Sequence, residues 1–342
     1  MRKNLRKATI VPADYMELSE LFRASGLELN LDASGQKPEG FLRAVKAVMP
    51  DGEILGGAAF CRRKDCFILN DIAVAEDVRG EDLGSRLLSY ALTYFLEQGA
   101  KTVWIASKAP GFFARAGFQE VPKEQAPDIF SCGDCAEYGT DCHPAFMRMD
   151  LSGERLLFVD ACVSTHRSRT RQLCDAYLGR YAEEHPGVVI DHVMVEKGIC
   201  EPLDREAILH RNDLIEAKAW DDPMFDLARQ FKAASHVVVG APYWDCAFPA
   251  ILKVYIENIV VTDLTFEETE NGYSGLCPCS ELVYITTAGG PIEDRDLGYD
   301  YIRGIGTMLG VKSFREYRAE GLDIVGADIP AIMDEALKKI IE

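Results

Sequence analysis

Pro242-Tyr243-Trp244-Asp245-Cys246-Ala247-Phe248-Pro249-Ala250-Ile251-Leu252-Lys253 is the stretch on which the reading of the fold turns. It follows His236-Val237-Val238-Val239-Gly240-Ala241, an apolar run without Asp, Glu, Lys or Arg, which reads as a strand buried on both faces. A buried strand that opens into proline and aromatics and re-enters a helix at Pro249 builds a rigid ledge at the carboxyl end of a parallel sheet. In open α/β sheets ligands settle along that edge. Aromatic faces and main-chain polar groups there suit a flat ring that both stacks and hydrogen-bonds.

Outward from the ledge, the pattern predicts strands over 156–161, 188–195, 236–241, 281–286 and 313–318. Helices are expected over 168–184, 222–234, 249–259, 296–309 and 329–341. Strands alternating with helices imply a parallel sheet covered on both faces. The first of these strands runs into Ser164-Thr165-His166-Arg167-Ser168-Arg169-Thr170-Arg171, a basic island at a helix start. Hydroxyls and free N–H groups at such a start hold a terminal phosphate dianion, although a well-capped helix has the same appearance. No Gly-x-Gly-x-x-Gly is present in this loop, which favours FMN over FAD or NAD as the tightly held group. A later strand ends in Thr286-Thr287-Ala288-Gly289-Gly290-Pro291, where two glycines let the backbone approach a ring edge.

These segments occur in the order of the flavodoxin-like NAD(P)H-dependent oxidoreductases, the azoreductase and quinone-reductase group. So does the stretch from Val261 to Leu276, and residues 156–342 resemble that group almost throughout. The resemblance implies that Ser164, Ser168, Arg169 and Thr170 hold the FMN phosphate. Tyr243, Trp244, Asp245 and Cys246 would flank the isoalloxazine, and Thr287, Ala288, Gly289 and Gly290 would line its pyrimidine side. It further implies NAD(P)H as hydride donor, a small quinone or azo-like electron acceptor, and a homodimer formed through residues 156–342. Asp245 stands where Asn is usual, and Ala288 is smaller than the usual residue. Cys246 is expected to be a free core thiol, and Cys277-Pro278-Cys279 a lid feature.

The first half follows a different pattern. Strands are expected near 8–11, 43–49, 54–61, 66–75, 102–106 and 146–151, with helices near 14–25, 83–98 and 112–116. Leu83, Leu87, Leu88, Ala91, Leu92 and Phe95 recur with helical period up to the stop at Gly99. Many strands and few helices indicate mixed α+β. The turn Arg79-Gly80-Glu81-Asp82-Leu83-Gly84-Ser85 joins a strand to that helix and offers successive N–H groups to an anion. It resembles motif A of the GNAT acetyltransferases, Arg/Gln-x-x-Gly-x-Gly/Ala, with Asp82 in place of the first Gly. Downstream, Phe112-Phe113-Ala114-Arg115-Ala116-Gly117-Phe118 resembles the segment that carries a general-acid Tyr in many members; here that position is Phe113. The resemblance spans about 6–150 and implies acetyl-CoA on Ala73, Val74, Arg79, Gly80, Gly84 and Ser85, an amine acceptor, and Asp71 as the general base.

The sequence therefore predicts an α/β chain: a GNAT-type mixed α+β domain over 1–151, then a five-stranded parallel, doubly wound, flavodoxin-like domain over 156–342. Two other readings remain open at this stage. One is an acetyltransferase with a structural flavodoxin-like part; the other is a non-catalytic cofactor-binding or sensing module. A net charge of −18, most of it beyond residue 150, argues against a general nucleic-acid surface. No run of apolar residues is long enough for a membrane helix, and the basic start leads into polar residues, so a cytoplasmic location is expected. Eleven cysteines, an odd number, point away from a disulfide scaffold. Cys132, Cys135, Cys142 and His143 give C-x2-C-x6-C-H, which is a candidate zinc or iron–sulfur ligand set beside the alternative of reduced loop thiols.

Overall fold

The computed structural model describes residues 8–79, 83–130, 139, 142–163, 168–195, 200–293 and 296–342. The chain divides into two compact units, Met1–Gly153 with His185–Asp191, and Glu154–Glu184 with His192–Glu342.

In the first unit the strands are β1 (Thr9–Ala13), β2 (Phe41–Val48), β3 (Ile54–Arg63), β4 (Cys66–Val74), β5 (Thr102–Ser107), β6 (Gln119–Val121) and β7 (Ala145–Asp150). They form one sheet in the order β1-β2-β3-β4-β5-β7-β6. Its helices are α1 (Ser19–Ala24), α2 (Leu83–Glu97) and α3 (Pro110–Arg115). The apolar stripe read from sequence is the stripe α2 buries: Leu83, Leu87, Leu88, Ala91, Leu92 and Phe95 all lie in the core. The segment expected as one helix over 14–25 is instead a 3-10 turn, Tyr15–Leu18, followed by α1. Asp14 and Glu17 close a capping box there, which explains the early start.

Two irregularities in this sheet create a site. All neighbouring pairs in this sheet are antiparallel except β4 and β5, which run parallel and pair only at Phe67–Val103 and Ile68–Trp104. Beyond those residues the two strands diverge. On its other side β4 pairs with β3 through a register shift between Ala59 and Phe60, where Asn70 is the additional residue. Such a bulge re-aims the side chains next to it.

The second unit carries β8 (Arg155–Asp160), α4 (Arg169–Glu184), β9 (Val189–Met194), α5 (Arg205–Glu216), α6 (Asp226–Ala233), β10 (His236–Gly240), α7 (Ala250–Ile259), β11 (Phe266–Thr269), β12 (Gly272–Gly275), β13 (Glu281–Thr287), α8 (Leu297–Leu309), β14 (Ser313–Ala319) and α9 (Ile329–Ile341). The parallel sheet has the order β14-β13-β10-β8-β9, and β11 with β12 forms a separate hairpin. Counted by position in the sheet's own sequence, the order is 2-1-3-4-5, a doubly wound arrangement whose switch point falls between β8 and β10. Every residue of β10 is buried, as a central strand with helices on both faces requires.

Three elements were not read from sequence. α5 buries none of its residues, so it has no strong apolar stripe to detect, although Asp204 caps it by accepting from the Ala207 N–H at 2.9 Å. The hairpin carries a turn signal in Asn271-Gly272 that was readable. β6 is three residues long and leaves almost no pattern.

Packing is close under β10. A Cβ at Gly240 would lie 2.5 Å from Cys174 Sγ and 3.2 Å from Phe158 Cε2, and both neighbours are themselves buried. Gly240→Ala is expected to destabilise the second unit by about 1–3 kcal/mol, the range for overpacking a filled core. Denaturant unfolding of the two proteins checks this, and an unchanged midpoint would show that the site relaxes freely.

Candidate functional site

The carboxyl edge of the second sheet gathers three of the segments singled out from sequence. Ser168 sits just before α4, and its Oγ accepts from the Arg171 N–H at 3.2 Å. Among the described residues the Arg169 and Thr170 main-chain N–H groups have no acceptor, as expected in the first turn of a helix. Thr170 Oγ1 is 2.6 Å from Thr287 Oγ1 at the end of β13. Only one of the two hydroxyl protons is used in that contact, so the other remains available to a ligand. Thr287 is also held through its carbonyl, which accepts from the Tyr243 N–H at 2.9 Å. One residue thus joins the helix start, the Gly-Gly loop and the aromatic ledge.

The ledge itself is a tight reversal. Trp244 and Ala247 exchange main-chain hydrogen bonds of 3.2 and 2.8 Å around Asp245 and Cys246, which have φ of 51° and 65°. Two successive left-handed residues define the hairpin-type turn, an unfavourable conformation for both unless the surroundings enforce it. Trp244 is 49% exposed and Asp245 is exposed, while Cys246 is half-buried. Cys246 is therefore a turn residue at the rim, not the core thiol expected from its apolar neighbours. Cys277 and Cys279 depart the other way. Both are core residues, and burial pushes their thiols up to about 12, so they form no lid.

Gly289 and Gly290 behave differently from one another. A Cβ on Gly289 would come within 2.4 Å of Asp323 Oδ2, while Gly290 faces open space. Asp323 donates its N–H to the Gly289 carbonyl at 2.9 Å and receives Arg169 Nη1 at 3.2 Å. Arg169 also donates to the Leu322 carbonyl at 3.2 Å. That side chain, expected on a phosphate, here ties the start of α4 to the segment behind the Gly-Gly loop. Ala288 is buried, with its N–H on the Ala319 carbonyl. Ser164 lies outside the described residues.

Beneath this edge is a group that the motif reading passed over. Asp160, the last residue of β8, has no solvent exposure. Its Oδ2 takes Arg171 Nη1 at 2.8 Å and lies 3.4 Å from His192 Nε2, while Oδ1 accepts the Cys162 N–H at 2.9 Å. Burial opposes ionisation, but His192, Arg171 and the Cys162 N–H outweigh it and hold the carboxyl well below the usual carboxylate range. The readable signal was a lone acid ending an otherwise apolar strand, Leu156-Leu157-Phe158-Val159-Asp160.

In the first unit, the divergence of β4 and β5 opens a cavity of about 130 Å³, lined by Ile68, Asn70 and Asp71 from β4 and by Ala106 from β5, with Arg63, Lys108 and Cys142 around it. Asp71 is buried, and among the described residues both side-chain hydrogen bonds end on Oδ2: Tyr15 Oη at 3.0 Å and Asn70 Nδ2 at 2.7 Å. Oδ1 is left to accept from whatever enters. Burial raises the Asp71 pKa above the ordinary value, against the lowering effect of Asn70, Tyr15 and Arg63. Arg63 spends its nitrogens on protein: Glu39 O at 2.9 Å, Ile129 O at 3.0 Å and Asn70 Oδ1 at 2.6 Å. Tyr15 and Arg63 reach Asp71 and Asn70 only through tertiary packing and could not be found from spacing.

Ala73 and Val74 end β4, Arg79 follows with its Nε on the Val74 carbonyl at 3.3 Å, and Gly84 and Ser85 open α2. The described residues expected at the anion therefore stand at the end of β4 and the start of α2, and Gly80 and Asp82 lie outside the described residues. Phe113 is buried against Phe112 and Phe118, at centroid separations of 4.9 and 5.5 Å, and no proton donor stands in its place. Cys132 and Cys135 also lie outside the described residues. Cys142 is half-buried at the cavity and His143 is exposed; among the described residues no group of three or more His, Cys, Asp or Glu is arranged to hold a metal.

A doubly wound sheet with three converging carboxyl-edge loops defines a ligand-binding α/β domain, joined in this chain to a second sheet opened by a strand divergence. Residues 154–342 match the family described as flavodoxin-like fold, and the chain belongs to that family; residues 41–120 match the acetyltransferase (GNAT) domain. The second unit is similar to FMN-dependent NADH:quinone oxidoreductase 2 of Clostridium acetobutylicum, 37% identical over 51% of this chain and 90% of the relative. It is also similar to FMN-dependent NADH:quinone oxidoreductase of Caldicellulosiruptor saccharolyticus, 34% identical over 55% of this chain and 96% of that protein. A solved azoreductase from Bacillus anthracis shares the fold, with a TM-score of 0.50 and 22% identity over 55% of this chain and 97% of its own.

Removing the cation that holds Asp160 has a calculable consequence. Arg171→Ala takes the arginine cation from a fully buried carboxylate, which among the described residues keeps His192 and the Cys162 N–H, and is expected to cost about 1.5–3 kcal/mol near neutral pH. Because the Asp160 pKa is depressed in the fold, its contribution is present above the ordinary carboxylate range and is lost as pH falls through the folded value. The Arg171→Ala protein should therefore lose less stability than the parent on acidification. Equal acid slopes in urea titrations of the two would contradict the assignment of Arg171.

Proposed function

We propose that the second unit binds FMN and uses NAD(P)H to reduce a small acceptor, a quinone or an azo compound. The observation that carries this reading is the Thr170–Thr287 contact, which joins a helix start suited to a phosphate with a loop and ledge suited to a flat ring. The names of the relatives point the same way. Bound FMN would supply hydride acceptance from the nicotinamide and onward reduction of the acceptor.

The chain's own residues do the rest. The Arg169 and Thr170 N–H groups and the Ser168 and Thr170 hydroxyls hold a phosphate dianion at the positive end of the 16-residue helix α4. The turn at Trp244–Ala247 presents an aromatic face and main-chain groups to the ring. Thr287, Ala288, Gly289 and Gly290 present backbone polar groups to its edge, and Asp323 behind Gly289 keeps that backbone in place. The exposed Trp244 and Tyr273 support a homodimer through this unit, with the site near the interface. The described cysteines are all free thiols, which suits a reducing, cytoplasmic setting.

For the first unit we propose acetyl-CoA binding at the start of α2 and transfer to an amine in the cavity beside Asp71. The open Oδ1 of Asp71 accepts the amine proton, and its raised pKa makes it a better base than an exposed carboxyl. With Phe113 in place of a hydroxyl, the departing thiolate takes its proton from solvent.

Two outcomes test these readings. Purified protein is expected to be yellow, or to become so with FMN, and to oxidise NAD(P)H with a quinone or azo dye. Ser168→Ala with Thr170→Ala should weaken FMN binding by at least about tenfold, the loss expected for hydrogen bonds to a charged group. A protein that stays colourless with added FMN would sink the reductase reading. For the first unit, Asp71→Asn should lower acetyl transfer to a small amine about 10²–10⁴-fold while leaving CoA binding intact. The parent's activity should rise with pH through a limb above the ordinary carboxylate range, and a pH-independent rate would exclude Asp71 as base.

A further inference from the structure

Behind the aromatic ledge lies a second polar cluster that the proposed chemistry does not use. Asp296 caps α8, its Oδ1 accepting from the Tyr299 N–H at 2.8 Å. Its other oxygen, Oδ2, is buried and has no hydrogen-bond donor among the described residues, and the same holds for Glu316 Oε1 on β14. Glu316 is the cross-strand partner of Tyr284 on β13, and the first turn of α8 reaches the same phenol, since a Cβ on Gly298 would lie 3.1 Å from Tyr284 Oη; the two acids therefore meet beside Tyr284. On the neighbouring strand β13, Tyr284 Oη and Thr286 Oγ1 are also buried without partners. Tyr284 is close enough to both acids for its phenol to be pushed up, chiefly by burial and then by their charges.

Two carboxylates in contact cannot both be ionised in a site closed to water; one proton between them converts repulsion into a strong hydrogen bond. We propose that Asp296 and Glu316 share one proton, and that this pair positions the ledge Trp244–Ala247 by fixing the first turn of α8. The link to the ledge is direct. The Leu297 N–H donates to the Cys246 carbonyl at 3.2 Å. Gly298 packs so closely that a Cβ there would lie 3.2 Å from the Ala247 carbonyl carbon and 3.1 Å from Tyr284 Oη. If the pair carries two charges, Asp296 must draw away from Glu316, and the turn that Leu297 and Gly298 support moves with it.

The surroundings favour retention of the proton. Burial comes first, then Asp296, in holding the Glu316 carboxyl up to about 7. On β14, Arg318 is the cation facing the pair, but it stands 3.8 Å from Glu316 Oε1 and gives its close contact, 2.8 Å, to Glu320. Glu320, the residue after that strand, adds further negative charge. On α8, Arg303 lies over the Tyr299 ring and pairs with Asp300 at 3.0 Å, so its charge is already engaged. β13 presents only the hydroxyls of Tyr284 and Thr286, and the loop after β8 the thiol of Cys162. A free-energy cycle gives the sign. With a folded pKa above the unfolded one, the native state holds an extra proton between the two values, and stability falls with rising pH across that window and then levels.

The proposal rests on the FMN reading for its functional consequence, whereas the proton itself can be observed without FMN. FMN affinity of the whole protein, followed by flavin fluorescence between about pH 7 and about pH 9, where the FMN phosphate is already largely a dianion, should fall with rising pH by up to tenfold per pH unit. Glu316→Gln, which puts a permanent N–H donor where the proton sits, should flatten that dependence. Asp296→Asn, which keeps the helix cap, should do the same and serves if the first variant folds poorly. In the apoprotein, infrared spectra should show a buried protonated-carboxyl band that disappears as pH rises through about 7 and is missing from both variants. A flat profile in the parent, an unaltered slope in a folded variant, or no protonated-carboxyl band at low pH would overturn the proposal. So would a rise in apoprotein melting temperature on adding calcium, which would put a cation where the proton is placed. If no FMN binds at any pH, the cofactor reading fails, and the infrared band still decides whether the proton is shared.

Discussion

A charge buried without any exposure is the constraint on which the second unit's edge depends. An isolated carboxylate removed from water costs several kcal/mol, so Asp160 can stay ionised only where cations and N–H groups converge on it. Those groups come from different elements: Arg171 from α4, His192 from β9 and the Cys162 N–H from the loop after β8. Satisfying one oxygen pair therefore fixes where α4 begins relative to the end of its strand. That offset sets where the first turn of α4 stands relative to Thr287, whose hydroxyl lies 2.6 Å from that of Thr170. Arg171 also lies over the Phe158 ring and pairs with Asp175 at 2.6 Å, so its own position leaves little freedom.

The first unit opens its sheet by another means. There the site comes from strands that cease to pair. β4 and β5 share two residue pairs and then separate, and the bulge at Asn70 turns Asp71 toward the gap. Polar groups exposed by such a divergence have to be satisfied or left for a ligand. Arg63 satisfies Asn70 and two carbonyls, Tyr15 satisfies one oxygen of Asp71, and the other oxygen is left open. In both units the site is a place where the sheet's regular hydrogen bonding ends and specific side chains take over.

The misreadings have a common origin. The sequence shows a cysteine's neighbours along the chain, whereas burial is a property of neighbours in space. Cys246 sits among aromatics, yet the turn that its left-handed backbone helps to form carries it to the rim. Cys277 and Cys279 flank a proline in what reads as a loop, yet the loop runs under the sheet and places both thiols in the core. Arg169, which the resemblance places at the phosphate, has its side chain on Asp323, more than a hundred residues away in the chain, a partner that no local pattern reveals.

What the sequence determined by itself was the alternation of apolar strands with periodic helices, hence a parallel sheet in one half and a mixed sheet in the other. It also determined which loops would meet at the carboxyl edge, because in a parallel sheet every strand delivers its following loop to the same side. Local signals sufficed there: the Val237–Val239 run, the hydroxyls around the start of α4, the paired glycines after β13. The tertiary structure alone decided which groups are charged, shared or free. The ionised state of Asp160, the open oxygen of Asp71 and the facing acids Asp296 and Glu316 each depend on partners distant in sequence and on the exclusion of water around them. Periodicity encodes which face is buried; it carries no information about which donor a buried oxygen will find.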